Sequence, residues 1–318
     1  MRIYHELDNF QANRPVVTIG VFDGVHRGHK AIISQLVARA EELGGESVVV
    51  TLWPHPRIIL KKDLKNLRLL NSLEEKKWLL EKHHIDHLII LPFNNEISLM
   101  DACDFIKEIL VDRIGLEHLL IGYDHHFGKG GKGNFRDIQA CSAEYNFKVE
   151  RLGAESDEGT EISSTVIRNA LFEGNLTKAN QYLGYPYLMM GRVVGGRRIG
   201  KKIGFPTANI EPENPYKLIP KDGVYAIKAD LEGQTMEGML NIGYRPTVDR
   251  QGKNQSIEAH LFDFDGDLYN RNITIHMIQR IREEKKFANV DELVEQLKVD
   301  KKTSLRMLSE ETSNNSEP

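Results

Sequence analysis

His26 and His29 stand three residues apart in the segment Thr18–His29, T-I-G-V-F-D-G-V-H-R-G-H. An imidazole offers directed N–H donors and, when protonated, a positive charge, and both suit a phosphate in transfer. Gly20, Gly24 and Gly28 punctuate the segment and allow a backbone or ligand to come close. Upstream, Val16–Val21 is an apolar run rich in β-branched residues. Downstream, Ile32, Ile33, Leu36, Val37, Ala40 and Leu43 recur near helical spacing. The segment therefore reads as a strand-to-helix turn, where the first N–H groups of the helix and its positive dipole end favour an anion. Gly20, Phe22, Asp23, Gly24 and Gly28 are the candidate phosphate-binding residues of this turn, and His26 and His29 its candidate catalytic ones. A metal would need more Cys, His or carboxylate ligands, and the segment offers only Asp23 besides the pair.

A second group lies in Gly191–Asn209, G-R-V-V-G-G-R-R-I-G-K-K-I-G-F-P-T-A-N. Glycines let a backbone wrap phosphates while Arg and Lys neutralise them, which makes Gly191, Gly195, Gly200, Lys202 and Gly204 candidate phosphate contacts. Thr207 and Asn209, two apart on an extended stretch, face the same way. Their hydroxyl and amide oxygens are hard ligands suited to Mg²⁺ carrying nucleotide phosphates. Two further stretches are ambiguous alone. Ser163–Arg168, S-S-T-V-I-R, is as well explained by a serine N-cap and a solvated arginine. Glu258, in S-I-E-A-H, is by itself an exposed strand carboxylate. The loop Gly122–Asn134, rich in glycine and carrying Lys129 and Lys132, reads as a surface lid, a ligand-binding loop, or both.

These groups need a scaffold, and 318 residues are enough for two domains. From Val16 to about Leu152, apolar runs at Ser47–Leu52, Leu88–Leu91 and Leu119–Gly122 alternate with helical patterns at Leu73–His83, Ala102–Ile114 and Phe135–Tyr145. That alternation implies a parallel, doubly wound sheet. In such sheets ligands bind beyond the carboxyl ends of the strands. The Thr18–His29 turn, Trp53–Pro56 and Gly122–Gly128 all fall on that edge. After Gly184-Tyr185-Pro186 the rhythm changes to short strands at 188–194, 224–229, 236–242, 257–262 and 273–281, which reads as an antiparallel barrel. A helix at 291–297 closes it, and the polar stretch 310–318 reads as a disordered tail. The expected domains are 1–185 and 186–309.

A formal net charge of −4 argues against broad nucleic-acid binding, although the basic cluster Arg197, Arg198, Lys201 and Lys202 is a possible phosphate site. Only Cys103 and Cys141 occur, so no disulfide framework and no C-x-x-C pair is expected. A reducing cytoplasm is the expected setting. The start Met-Arg-Ile-Tyr-His-Glu lacks an apolar signal core and no stretch approaches a bilayer span, so neither secretion nor a membrane partner is expected.

The H-x-G-H turn resembles the signature of the HIGH-motif nucleotidylyltransferases, which attack the α-phosphate of ATP and release pyrophosphate. I-S-S-T-x-I-R is similar to a motif of the same superfamily. The resemblance implies that Ser164 and Thr165 bind the β- and γ-phosphates and that Arg168 stabilises the leaving pyrophosphate. G-F-P-T-A-N after a glycine-rich basic strand resembles the riboflavin kinase signature, continued by N-I-G at 241–243, S-I-E-A-H at 256–260 and R-E-E-K-K-F at 282–287. There the resemblance implies Glu258 as general base on the riboflavin 5'-hydroxyl.

Both signatures in this order resemble the bacterial bifunctional riboflavin kinase/FAD synthetase family over residues 15–300. The implied fold class is α/β plus β, a Rossmann-like nucleotidylyltransferase domain followed by a small Greek-key barrel with a C-terminal helix. The implied chemistry is riboflavin plus ATP giving FMN, then FMN plus ATP giving FAD, with Mg²⁺ as cofactor. Pro54, Asp124, Phe127 and Arg282 are the implied flavin contacts, although relatives carry Asn at the position of Asp124 and Arg at that of His126. Two rivals stay open. One is an adenylyltransferase of the pantetheine-phosphate or nicotinamide mononucleotide type with an accessory barrel. The other is a non-catalytic flavin- or RNA-binding regulator, against which the missing aromatic-basic stacking platform counts.

Overall fold

The continuous apolar runs of the first half become parallel strands because only a sheet covered on both faces can bury them. In a computed structural model, which describes residues 1–61, 66–123, 128–131, 133–153, 155–157, 159–196, 200, 203–244 and 255–314, the chain divides into two compact units. The first comprises Met1–Leu67 and Lys76–Ser163, the second Arg68–Glu75 and the chain from Ser164 onward. The change of unit at 163/164 falls two helices before the boundary expected at 185/186.

In chain order the first unit carries β1 (Arg2–Tyr4), β2 (Val16–Gly20), α1 (Arg27–Leu43), β3 (Ser47–Trp53) and α2 (Pro56–Ile59). Next come α3 (Leu73–Glu81, its first turn grouped with the second unit), β4 (His87–Pro92), α4 (Asn95–Leu99) and α5 (Ala102–Phe105), which continues as a π-helical turn over Ile106–Val111. Strand β5 (His118–Gly122), α6 (Phe135–Tyr145), β6 (Lys148–Leu152) and the small hairpin β7 (Ser156–Asp157) and β8 (Thr160–Glu161) complete it. The six main strands are parallel in the order β1-β4-β3-β2-β5-β6. Val17, Ile19, Val48, Val50, Leu119 and Ile121 form the core of one cluster with Phe105, Ile106, Leu110 and Ile138. Strand order reverses at β2, between β3 and β5, and the reversal opens a crevice at its carboxyl end. The Val21–His29 segment leaves β2 there.

One expectation is corrected in this unit. Cys103 and Cys141 are joined in a disulfide, with Cα atoms 5.8 Å apart. Packing of α5 against α6 brings them together across 38 residues, a separation with no recognisable spacing signal.

The second unit begins with α7 (Ser164–Glu173) and α8 (Leu176–Leu183). It continues through β9 (Tyr187–Val194), β10 (Ala208–Pro212), β11 (Gly223–Leu231), β12 (Gln234–Tyr244), β13 (Gln255–Leu261), β14 (Asn272–Arg282) and α9 (Val290–Asn314). The strands close into an antiparallel barrel in the order β10-β13-β12-β11-β14-β9. Helix α9 is much longer than the expected 291–297, and residues 310–314 of the expected tail are helical. Leu308 is buried with Val224, Ala226, Met239 and Phe262, and Glu311 pairs with Lys228, so the barrel wall holds the helix in place past its apolar stretch. Residues 315–318 lie outside the described residues.

Segment Arg68–Glu75 is fastened to the barrel. Leu69 bridges Lys217 in parallel, with Leu69 N donating to Tyr216 O (2.7 Å) and Leu218 N to Leu69 O (2.8 Å). The buried Lys217 ammonium gives hydrogen bonds to Glu75 Oε2 (2.6 Å), Leu70 O (2.6 Å) and Leu188 O (2.7 Å). Glu75 accepts from Met190 N (2.8 Å) and Ser72 N (2.8 Å). Desolvating both charges is tolerable only because each is hydrogen-bonded this fully. Lys217→Met strands the Glu75 carboxylate without its counter-ion and is expected to cost about 3–5 kcal/mol in urea unfolding. A loss below about 1 kcal/mol would contradict this role of the pair.

Candidate active sites

The first site is the turn after β2. Phe22 (φ +47°) and Val25 (φ +35°) occupy the left-handed region, with Gly24 at φ +94° between them. Side chains rarely adopt that region, a β-branched valine least of all. Both Phe22 and Val25 are buried, and this packing holds the turn. His26 is the N-cap of α1, with extended backbone and no side-chain hydrogen bond to the helix end, and the first turn carries no acidic residue. That end is therefore electrostatically set for an anion. Gly28 makes room beside it, since a Cβ there would lie 3.2 Å from His26 Nδ1.

The His26 and His29 rings stack at 3.7 Å with planes 22° apart, and Phe22 meets His29 edge-on at 5.2 Å. Among the described residues nothing bonds the buried Nδ1 of His29. Burial foremost, then His26 and the Lys76 ammonium, holds the His29 pKa well below the usual histidine value. A neutral imidazole with one N–H donor results at neutral pH. Asp23 is buried in the same turn. Gly20 pairs with Thr51 of β3, so the partly buried Pro54, just beyond β3, lies on the same edge of the sheet. Asp124 and Phe127 lie outside the described residues, as does Lys202 with the rest of its basic cluster.

Ser164, Thr165 and Arg168 occupy the first turns of α7, in the second unit. The Arg168 side chain is oriented by its Nε–H, which donates to the carbonyl of Arg68 (2.8 Å).

The other site is on the barrel. Asn209 of β10 and Asn241 of β12 both stand opposite Glu258 of β13. Directly paired residues project on one face, so Glu258 is flanked by both amides. Thr207 Oγ1 donates to Glu258 Oε2 at 3.4 Å. The result is a set of oxygen donors, hydroxyl, amide and carboxylate, which fits a hard divalent cation. No group of three or more His, Cys, Asp or Glu residues able to hold a metal occurs among the described residues. Gly196 has no room for a side chain, because a Cβ would fall 2.0 Å from Asn209 Nδ2. Gly191 serves the strand pairing, with its Cα facing Glu211 O of β10 too closely for a Cβ (2.6 Å). Gly191, Gly195 and Asn209 line one open cleft of about 1240 Å³. Gly200 O accepts from Ile203 N (3.2 Å) and Phe205 N (2.9 Å), and Gly204 (φ +81°) completes this turn ahead of Pro206.

Sequence reasoning missed one residue of this site. His260 Nδ1–H donates to Pro206 O at 2.7 Å and its ring packs against Phe205 at 5.2 Å, which pins the P-T-A-N corner. Its position two residues after Glu258, on the same strand face, was the available signal. Arg282, an implied flavin contact, is held by Asp300 of α9, with Nε–Oδ1 2.9 Å and a second guanidinium nitrogen 2.7 Å from Oδ2. Glu284 packs on the N-I-G stretch of β12, where a Cβ at Gly243 would lie 2.0 Å from its Oε1.

The lowered His29 pKa has a sign that stability measurements read. Below about pH 6.5 the unfolded chain takes up a proton that folded His29 refuses, so stability falls as pH drops through that window. The slope from this group is at most about 1.4 kcal/mol per pH unit. His29→Asn is expected to flatten the pH dependence of unfolding between pH 7.5 and 5.5; an unchanged slope would contradict the assignment.

Residues 9–166 match the FAD synthetase family and residues 183–308 the riboflavin kinase family. A bifunctional riboflavin kinase/FMN adenylyltransferase from Pseudomonas fluorescens is 39% identical over 278 residues, covering 87% of this chain and 88% of that protein. One of the same description from Bacillus subtilis is 36% identical over 313 residues, covering 96% of each. A crystal structure from Streptococcus pneumoniae, described as a macrolide-efflux protein, superposes with a TM-score of 0.85 at 28% identity, over 95% of this chain and 97% of that one. Among the described residues no helix is long and apolar enough to cross a membrane. The two family matches and the near-full-length relatives agree, and the chain belongs to the bifunctional riboflavin kinase/FMN adenylyltransferase family.

Proposed function

We propose that the chain makes FAD in two ATP-dependent steps, phosphorylating riboflavin on the barrel and adenylylating the resulting FMN at the β2–α1 turn. The observation that carries the kinase assignment is the convergence of Thr207, Asn209 and Glu258 on one barrel face. Glu258 is the general base that accepts the proton of the riboflavin 5'-hydroxyl as its oxygen attacks the γ-phosphorus of ATP. Thr207 and Asn209 are the proposed protein ligands of Mg²⁺, which when bound supplies charge neutralisation to the phosphates. His260 keeps Thr207 in register by holding Pro206. Gly191, Gly195, Gly200, Gly204 and Lys202 are the proposed phosphate contacts, Gly191 also serving the strand pairing.

In the second step the FMN phosphate attacks the α-phosphorus of the second ATP and pyrophosphate leaves. His26 and His29 are proposed to donate N–H groups to the phosphates, in a turn whose helix amides face the same charge. Arg168, Ser164 and Thr165 are proposed to carry the β- and γ-phosphates. Pro54, Asp124, Phe127 and Arg282 are the proposed flavin contacts, Arg282 with its guanidinium oriented by Asp300 of α9. ATP is the co-substrate of both steps, and a cytoplasmic setting supplies it.

Purified protein given riboflavin and Mg-ATP should form both FMN and FAD. Glu258→Ala is expected to lower riboflavin phosphorylation by about 10²–10⁴-fold, the usual worth of a positioned base, while added FMN is still converted to FAD. His29→Ala should show the reverse. Loss of both activities in either variant, with folding intact by circular dichroism, would contradict separate sites.

A further inference from the structure

One buried charge beside the β2–α1 turn, on Lys76, is not among the residues proposed for either step. Lys76, on α3, is 2% exposed. Its ammonium donates to Val21 O at 2.6 Å and to Thr51 Oγ1 at 3.1 Å, and it lies 5.5 Å from the centroid of the Trp53 ring. Thr51 Oγ1–H in turn donates to Val21 O at 3.3 Å. The charged and titratable groups facing it are Asp23 of the turn and His29 of α1.

Val21 is the residue at which the chain leaves β2, immediately before Phe22. Two non-glycine residues in the left-handed region follow, a conformation that persists only where the surroundings over-determine it. Its carbonyl receives two hydrogen bonds, one from an ammonium, at the point where that conformation starts. A methionine would fill the same space without burying a charge, and apolar replacements of buried charges are often neutral or stabilising. Fold stability alone therefore gives no reason for a lysine here.

We propose that Lys76 is a positioning residue of the adenylylation site: its ammonium fixes the Val21 carbonyl and thereby holds the strained turn that presents His26, His29 and the α1 amides to phosphate. The proposal rests on the reading of that turn as the ATP site. Burial foremost, opposed by Asp23, brings the lysine pKa down to about 8, so the ammonium is still the main form at neutral pH. The same charge acts on His29 from across the turn and helps keep it neutral.

The test uses the full chain with Lys76→Met, Lys76→Arg and Lys76→Gln, and His29→Ala alongside. Adenylylation of FMN, phosphorylation of riboflavin and the His29 imidazole titration by NMR are measured in each. In Lys76→Met, kcat for adenylylation should fall at least tenfold, phosphorylation should stay within twofold, and the His29 midpoint should rise toward 6.5. Lys76→Arg, which keeps charge and donors, should recover part of the loss. If Lys76→Met fails to fold, Lys76→Gln keeps a donor without charge and should still move the His29 midpoint upward. Adenylylation within twofold of the parent in Lys76→Met, or an unmoved midpoint in the uncharged variants, overturns the proposal while leaving the turn as the ATP site if His29→Ala is inactive. Full adenylylation by His29→Ala overturns the ATP-site reading, and the proposal with it.

Discussion

Strand β2 lies between β3 and β5, and the chain departs from it in opposite directions on its two sides. A parallel sheet cannot fill the gap such a reversal leaves at the carboxyl edge, because the crossovers on either side pull away from it. The segment that follows β2 leads directly into that gap. This segment provides helix amides, two stacked imidazoles and a sharp left-handed passage through Phe22 and Val25. The position is costly for the backbone and useful for binding an anion, and buried packing around Phe22 and Val25 is what sustains it.

The barrel meets the same electrostatic demand by other means. At Glu258 the groups available to meet negative phosphate are oxygen ligands suited to a cation, beside a loop that has no room for a side chain at Gly196, where it passes Asn209. Closing the barrel sets Asn209, Glu258 and Asn241 abreast on three neighbouring strands, an arrangement that depends on register rather than sequence proximity. Helix α9 completes the wall: Asp300 grips Arg282 at the end of β14, and Leu308 enters the core.

Much of this was legible in the sequence wherever the signal is local. Strands β2 to β5 are buried on both faces and read as unbroken apolar runs, and the H-x-G-H turn keeps its chemistry within four residues. The edge strands β1 and β6 escaped, since Arg2, Lys148 and Arg151 sit on half-exposed edges and break the pattern. Other features arise only when distant segments meet. The Cys103–Cys141 bridge follows helix packing, the helical stretch 310–314 follows the anchorage of Leu308 and Glu311, and the partner of Arg282 lies 18 residues further on. Lys76 had no spacing signal because it acts on a backbone carbonyl brought to it by the fold, whereas the signal for His260 was only its place on the Glu258 face of β13.

The central claim is that one chain handles ATP in two chemically separate ways, with FMN as the product of one and the substrate of the other. Mixing Glu258→Ala and His29→Ala proteins with riboflavin and Mg-ATP, and following flavins by chromatography, tests it most directly. Neither variant alone should convert riboflavin to FAD, and the mixture should restore FAD through FMN released by one protein and used by the other. A mixture that makes FMN but no FAD, with both proteins folded, would contradict the account.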